Sequence, residues 1–137
     1  MKTWLNNLIL LLFCSILFLS CKERIPVFQG TASELMNMYL EKKDLDYKQK
    51  SFIEVDGKIA WIEYPKDGNN LNVCSISLIA GDYYDKKKRE GNIITCIMKD
   101  RYEKELVGNY VKVKGELKSY TSFDNYSVIF LEKCLIE

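Results

Sequence analysis

The sequence predicts a mainly β domain: a small five-stranded Greek-key barrel with one helix before it and a short helix between strands three and four. The clearest observation is a hairpin pattern over residues 108–137, in which apolar and polar residues alternate on either side of a polar run. The second is a long strand pattern over 50–64 with Gly57 in its middle, where a barrel strand can coil or bulge. The third is the order of segments, which places a helical pattern between the third and fourth strands.

Residues 1–20 have the layout of a secretory signal peptide. A lysine near the start precedes an apolar run over 8–19, and a small residue ends the segment. The run is shorter than the ~20 residues that a membrane-spanning helix needs. The letters LFLSC at 17–21 resemble the lipobox of bacterial lipoproteins, whose cysteine is lipidated and becomes the first residue. We therefore expect lipidation of Cys21; the alternative is an ordinary signal peptide with a chance cysteine.

Residues 21–30 are interpreted as the lipidated cysteine and a short tether, because 22–30 show no periodicity and contain Pro26. The folded domain is expected over 31–137. It begins with Thr31-Ala32-Ser33-Glu34, which fits a helix capping box. The helix should end near Lys42 or Lys43 and dock on the barrel through one apolar face. That face consists of Ala32, Leu35, Met36, Tyr39 and Leu40.

The remaining elements follow in order along the chain. Strands are expected over Lys50–Tyr64, Leu71–Ile79 and Ile93–Met98, then a short helix over Asp100–Val107, then the two strands of the hairpin. Glycines interrupt the inward face of the first and fourth strands, which predicts that neither site accepts a larger side chain. These are Gly57, which shares its face with Ile53, Val55, Ile59 and Trp61, and Gly115.

A basic run stands in the polar loop predicted over Ala80–Asn92. Lys86 to Arg89 are four consecutive cations, flanked by Asp82, Asp85 and Glu90. The functional interpretation is a patch for phosphate or anionic lipid. The flanking acids favour the other interpretation, a solvated loop.

Charge and residue types exclude several function classes. Lys and Arg number 20 against 19 Asp and Glu, so the basic surplus typical of a nucleic-acid binder is missing. The sequence has no histidine, the usual metal ligand and general base, and no C-x-x-C motif. Cys96 or Cys134 as a nucleophile would lack its base. We therefore expect no catalytic residue, no metal and no cofactor.

Five strands with a helix between the third and fourth give the order of the OB-fold, a small Greek-key barrel. The sequence resembles the tRNA-anti-like family of OB-fold proteins, which includes small bacterial lipoproteins with a helix before the barrel. The resemblance covers Thr31 to Glu137, and its motifs are structural, so it implies a fold and no catalytic residue. The segments that carry it are YK at 47–48, FIEVDGKI at 52–59, ITCI at 94–97, GNYVKVKG at 108–115 and LEKCLI at 131–136.

The cysteines beyond Cys21 are Cys74, Cys96 and Cys134, an odd number, so at most one internal disulfide can form. In an OB barrel the third and fifth strands are neighbours. Cys96 and Cys134 are therefore expected to lie close together, as a candidate disulfide that leaves Cys74 free. The alternative is three small buried thiols.

OB-folds bind ligands across strands two and three and the loops that join strands one to two and four to five. Those loops are Tyr64–Asn70 and Ser119–Ser127 here. Aromatic side chains in the second loop could stack on a sugar or a base, but we expect them to fold back as a lid on the barrel. The candidate ligand-binding residues are Tyr64, Lys66, Asp67, Tyr120, Phe123, Asp124, Asn125 and Tyr126.

These observations predict a non-catalytic binding module anchored to the bacterial cell envelope through an N-terminal lipid. Its partner would be a small ligand, a glycan or a protein; the alternative is an OB-fold protein that binds single-stranded nucleic acid. Lys22 does not resemble the aspartate signal for retention in the inner membrane, so the outer membrane is the expected location.

Overall fold

The structure is a computed structural model that describes residues 24–41, 48–64, 73–100 and 107–137. The predicted mainly β fold is confirmed: six strands and one helix make up the described parts of the chain. The elements are β1 (Phe28–Thr31), α1 (Ala32–Leu40), β2 (Phe52–Glu63), β3 (Ser75–Asp85), β4 (Glu90–Met98), β5 (Tyr110–Ser122) and β6 (Tyr126–Ile136). No helix in those four ranges is long and apolar enough to span a membrane.

Five strands close into a ring. The sheet order is β1-β2-β3-β4-β6-β5, and β2 also pairs with β5. The long strand β2 makes this closure because its first half, from Phe52 to Lys58, pairs with β5, whereas its second half, from Ile59, pairs with β3. Within this ring, neighbouring strands are antiparallel except β4 and β6, which are parallel. The result is a closed, barrel-like sheet with its core inside.

The strand count differs from the predicted five because of β1, which lies partly in the segment interpreted as a tether. Phe28 to Thr31 run parallel to β2 and pair with Ile53 to Asp56. Just before β1, the amide of Val27 donates a hydrogen bond of 2.8 Å to the carbonyl of Phe52. The ordered domain therefore begins before Thr31. Residues 28–31 show no period-two alternation that would predict a strand. The strand forms because their backbone pairs with that of β2.

Helix α1 begins as predicted, and its apolar face is buried. The amide of Glu34 donates to the Thr31 hydroxyl, and the Glu34 carboxylate accepts from the Thr31 amide, so the capping box is present. Ala32, Leu35 and Met36 are at most 1% exposed and belong to the core. The helix ends at Leu40, two residues before the predicted end, and 42–47 lie outside the described ranges.

Strand β2 bends at a different place from the one predicted. The register shifts between Ile59, which pairs with Leu78, and Trp61, which pairs with Ser77. Leu78 faces the core and Ser77 does not, so this bulge turns Trp61 to the outer face of the barrel. The prediction that Trp61 shares the inward face of Ile59 is therefore wrong. The irregularity lies at Ala60, and Gly57 lies within a regular pairing with Val111.

Further strand boundaries differ from the predictions. Strand β5 runs to Ser122 and β6 begins at Tyr126, so the loop predicted over 119–127 is only a short turn at 123–125. Strand β3 runs from Ser75 to Asp85, and β4 begins at Glu90, so most of the predicted loop over 80–92 is a hairpin with a turn at 86–89. Gly91 permits this hairpin: its φ is +96°, and a Cβ atom there would overlap the carbonyl oxygen of Tyr83. Of the predicted short helix, 101–106 lie outside the described residues, while Asp100 is in a bend and Val107 in a turn.

Gly57 is required by the approach of helix α1 to the barrel. A Cβ atom at Gly57 would lie 3.1 Å from the Cβ of Leu78 and 3.2 Å from the Cβ of Ala32. We expect Gly57→Val to lower the free energy of unfolding by about 1–3 kcal/mol, because the helix must move away from the strand. Urea unfolding of residues 21–137 measures this. Lys58→Val, at the exposed next position of the same strand, is the control. Equal midpoints for both variants would show that the helix tolerates the side chain.

Candidate ligand-binding face

The outer face of β2, β3, β4 and β6 carries rows of side chains set by the strand register. In the first row, Trp61 pairs with Ser77, Ser77 with Thr95, and Thr95 with Phe130. In the second row, Ile79 pairs with Ile93 and Ile93 with Val128. Alternate residues on β3, β4 and β6 face the core, so these two rows face outward.

The floor of this face is packed, although it lies outside the barrel core. Ser77 is 0% exposed, Ile93 is 4% and Val128 is 5%. The hydroxyl groups of Ser77 and Thr95 form a hydrogen bond of 3.2 Å, which satisfies the buried polar atom of Ser77. These three residues are therefore covered by other parts of the protein, and the members of the two rows that stay half-buried are Trp61, Ile79, Thr95 and Phe130.

Two aromatic rings stand at one end of this floor. The ring centroids of Trp61 and Tyr84 are 4.9 Å apart, tilted by 38°. The Lys86 ammonium lies 5.1 Å from the centroid of the Trp61 ring, within the range of a cation–π contact. Burial, followed by the nearby Tyr126, raises the pKa of Tyr84. The Tyr84 hydroxyl is therefore a neutral hydrogen-bond donor at physiological pH.

A second aromatic pair comes from the β5–β6 hairpin. Phe123 and Tyr126 stack with centroids 4.4 Å apart and 13° between their planes. The amide of Phe123 donates to the carbonyl of Tyr126, which closes a tight turn, and the amide of Gly91 donates to the carbonyl of Asn125. Tyr84 and Tyr126 are both strand partners of Gly91, one on each side. The hairpin therefore extends the aromatic surface, and we call Trp61, Tyr84, Phe123, Tyr126 and Phe130 with their floor the outer aromatic face.

Four cations border the outer aromatic face at the β3–β4 turn. The Asp85 carboxylate accepts hydrogen bonds from the amides of Lys87 (2.9 Å) and Lys88 (3.1 Å), so it holds the turn by contacts with the backbone. Glu90 accepts a bond of 3.4 Å from the Tyr83 hydroxyl and raises the pKa of Tyr83. Among the described residues, no ion pair involves Lys86 to Arg89. Their charges are available to a ligand.

The structure places the predicted site residues in three groups. Phe123 and Tyr126 belong to the outer aromatic face, with the exposed Asp124 and Asn125 at the hairpin tip. Tyr120 instead pairs with the inward-facing Ile129, and its ring lies 4.8 Å from that of Tyr39, so it covers the core as a lid. Tyr64 is 51% exposed at the end of β2, and Lys66 and Asp67 lie outside the described residues.

The sequence interpretation missed Trp61, Tyr84, Lys86 and Phe130 as members of the face. Trp61 was assigned to the core because the bulge that turns it outward leaves no mark in the period-two pattern. Tyr84 was assigned to a loop because acids and lysines surround it. The available signal was the pair Tyr83-Tyr84, since aromatic residues favour strands.

Cys74, Cys96 and Cys134 are buried inside the barrel, and none of them forms a disulfide in this structure. Cys134 is the strand partner of Met98, two residues along β4 from Cys96, so the predicted proximity is found. A hydrogen bond with the Cys96 thiol, together with burial, raises the pKa of Cys134 far above that of an ordinary thiol. Because the thiolate is the attacking species, Cys134 is a poor nucleophile once the barrel is closed. A disulfide with Cys96 would have to form during folding.

Non-reducing peptide mapping of the protein isolated from cells tests the disulfide. If the thiols are oxidised before the barrel closes, the expected product is a Cys96–Cys134 link, with Cys74 alkylated only after denaturation. The link would stabilise the domain by about 2–4 kcal/mol through loop closure. Protein folded under reductant should resist later oxidation, because the Cys134 thiol is then buried and protonated. A link to Cys74, or three alkylated thiols in the isolated protein, would contradict the pairing.

No group of three or more His, Cys, Asp or Glu side chains that could hold a metal ion occurs in the described parts of the chain. Comparisons with protein-family models, curated proteins and solved structures find no match to this chain.

Proposed function

We propose that the closed sheet is an OB-fold. The five long strands in chain order are β2 to β6, and their order around the ring is first, second, third, fifth, fourth. The third and fifth of them are parallel, and all other neighbours are antiparallel. This is the connectivity of a five-stranded Greek-key barrel. In this assignment β1 is an addition to the edge of the first barrel strand.

We propose that the protein is a non-catalytic binding module whose ligand is a glycan. The observation that carries this proposal is the pair of half-buried rings Trp61 and Tyr84 on one face with the half-buried Ile79 and Thr95. The face of strands two and three is where OB-folds bind oligosaccharides and oligonucleotides. Aromatic rings supply flat apolar contact area, and hydroxyl groups supply hydrogen bonds to a sugar. A small ligand or a protein partner would use the same face.

Single-stranded nucleic acid is the second candidate, favoured by the cations Lys86 to Arg89 beside the aromatic rings. Proteins that bind single strands combine stacking rings with a basic groove. The near balance of 20 basic and 19 acidic side chains weighs against this candidate, because phosphate contacts supply most of the affinity for nucleic acid. We therefore rank it second.

We further propose that the module is anchored in the bacterial cell envelope, at the outer membrane, by lipid on Cys21. The support is the LFLSC sequence at 17–21 at the end of an apolar run. Residues 1–23 lie outside the described ranges. Anchoring would hold the binding face at a fixed membrane surface.

Trp61 supplies a direct test of the binding site, because it is the single tryptophan of residues 21–137. We expect envelope oligosaccharides to change its fluorescence. By calorimetry, Trp61→Ala should weaken binding about tenfold or more, since a stacked ring contributes ~1–3 kcal/mol. Tyr110→Ala is the matched control, because Tyr110 is 79% exposed and lies outside the outer aromatic face.

The outcome of these binding measurements distinguishes a glycan ligand from single-stranded nucleic acid. Oligonucleotide binding that weakens steeply with salt would favour the nucleic-acid alternative. Oligosaccharide binding with equal affinity for the Trp61→Ala and Tyr110→Ala variants would place the glycan site elsewhere on the protein.

A further inference from the structure

The segment that follows the anchor is fixed to the barrel. The Arg24 guanidinium donates a hydrogen bond of 2.6 Å to the carbonyl of Lys50 and forms an ion pair of 2.5 Å with the Glu116 carboxylate. It also lies 5.4 Å from the centroid of the Phe52 ring. Three residues later, the Val27 amide is bonded to the Phe52 carbonyl, and β1 begins at once. The chain is therefore attached to the domain from Arg24 onward, so the free tether is much shorter than 21–30.

The attachment lies on the opposite side of the barrel from the outer aromatic face. Phe52 and Glu116 are strand partners where β2 meets β5, so Arg24 stands over the seam between these two strands. In the five-strand ring β2-β3-β4-β6-β5, the strand opposite that seam is β4. The outer aromatic face is centred on β4 and its neighbours. The β2–β5 seam and the binding face therefore point in opposite directions.

Covalent reach then limits how the domain can sit on a membrane, if Cys21 is lipidated as proposed above. Three residue steps separate Cys21 from Arg24, and a fully extended chain covers at most about 11 Å in that length. A domain of this size has a radius of gyration of about 13 Å. The free part of the tether is thus too short for the barrel to turn over.

The surface around the seam suits contact with lipid headgroups. Ile25 is 85% exposed, Val27 is 53% and Leu135, the strand partner of Lys114, is 48%. Isolated apolar side chains of this kind can enter the interfacial layer of a bilayer, as those of interfacial helices do.

The cations of the seam are already paired within the protein. Lys112 and Lys114 lie 3.4 Å and 3.3 Å from the carboxylate of Glu54, which is 4% exposed. Lys133 lies 3.0 Å from Glu116. The seam is therefore close to neutral, whereas the cations of the β3–β4 turn, which form no ion pair with any residue that the structure describes, border the opposite face. Attraction to anionic lipid would turn the β3–β4 turn and the outer aromatic face toward the membrane. The short tether instead places the β2–β5 seam against the membrane, so the two effects predict different orientations.

We propose that the β2–β5 seam, with Ile25, Val27 and Leu135, is the surface on which the domain rests against the phospholipid bilayer. The outer aromatic face is then presented away from the membrane, toward a soluble or surface-bound ligand. This inference rests on the proposed lipidation of Cys21, because an unlipidated chain has no such limit of reach.

Fluorescence quenching by lipids brominated near the glycerol backbone tests the orientation in the lipidated full-length mature protein. In phosphatidylcholine vesicles we expect Trp61 emission to be unchanged by the brominated lipid. In the Trp61→Phe, Leu135→Trp variant we expect most of the emission to be lost. A flexible Gly/Ser insert of about 15 residues before Arg24, with a span of roughly 20 Å, should abolish that loss because the reach is no longer limiting.

The outcomes distinguish this inference from the anchoring proposal. If radioactive acyl label is absent from the wild-type protein, both proposals fail together. If the label is present but Trp61 is quenched and the Leu135→Trp probe is not, only the orientation is overturned. In vesicles that contain anionic lipid, we again expect the brominated lipid to quench the Leu135→Trp probe and to leave Trp61 emission unchanged. A switch of quenching to Trp61 in those vesicles would show that charge sets the orientation, and would overturn the proposal.

Discussion

A valine at Gly115 is expected to lower the free energy of unfolding by about 3 kcal/mol, the upper end of the cost of overpacking a core. A Cβ atom at this position would lie 2.5 Å from the Cys134 sulfur and 3.1 Å from the carbonyl oxygen of Glu132. Cys134 is 0% exposed and has no free volume to enter. The carbonyl belongs to β6, so moving it would disturb the β5–β6 pairing.

Urea unfolding of residues 21–137 measures this cost, with Ser119→Val at an exposed position of the same strand as the control. A double-mutant cycle separates the two contacts. Gly115→Ala combined with Cys134→Ala should cost less than the sum of the single changes, because removal of the sulfur relieves the closest contact. Additive costs would assign the destabilisation to the backbone of Glu132. An unfolding midpoint of Gly115→Val equal to that of the control would contradict the packing argument.

Cys21→Ser is expected to abolish acyl labelling and to move the protein from the membrane fraction to the soluble fraction. Stable anchoring needs two lipid signals, and a lipidated N-terminal cysteine carries at least two acyl chains, so loss of the thiol removes the whole anchor. Growth with radioactive fatty acid, followed by fractionation and immunodetection, gives both readouts.

Cys14→Ser is the matched control, since Cys14 lies inside the predicted signal peptide and should not carry lipid. Membrane fractionation that is unchanged by Cys21→Ser, with no acyl label in the wild type, would favour the ordinary signal peptide.

Sequence patterns predicted those parts of the fold that depend on contacts between residues close together in the chain. The capping box at Thr31 and Glu34 is formed within four residues, so the sequence alone predicted the start of the helix. The mainly β fold followed from alternation in β2, β5 and β6, where one face meets the core. Strand β1 was missed because its existence depends on the backbone of β2, which lies far along the chain.

Of the outer aromatic face, the sequence predicted only the residues of the β5–β6 hairpin, which lie at its edge. The aromatic residues of the β5–β6 hairpin lie next to a turn, where sequence patterns are informative, and Phe123 and Tyr126 are part of the face. Its centre depends on the bulge between Ile59 and Trp61, which changes which face each later residue occupies. This bulge depends on how β2 pairs with β3, and the alternation of residues within β2 does not reveal it.

The seam between β2 and β5 also affects when the protein can fold. Phe52 pairs with Glu116, so the contacts that close the ring join residues about 60 positions apart. Such non-local pairing is slow, because the entropy of loop closure must be overcome before the contacts form. The barrel cannot close until the C-terminal hairpin is present. While the chain is being synthesised from its N-terminus, the ring therefore stays open until residues 110–136 have been made.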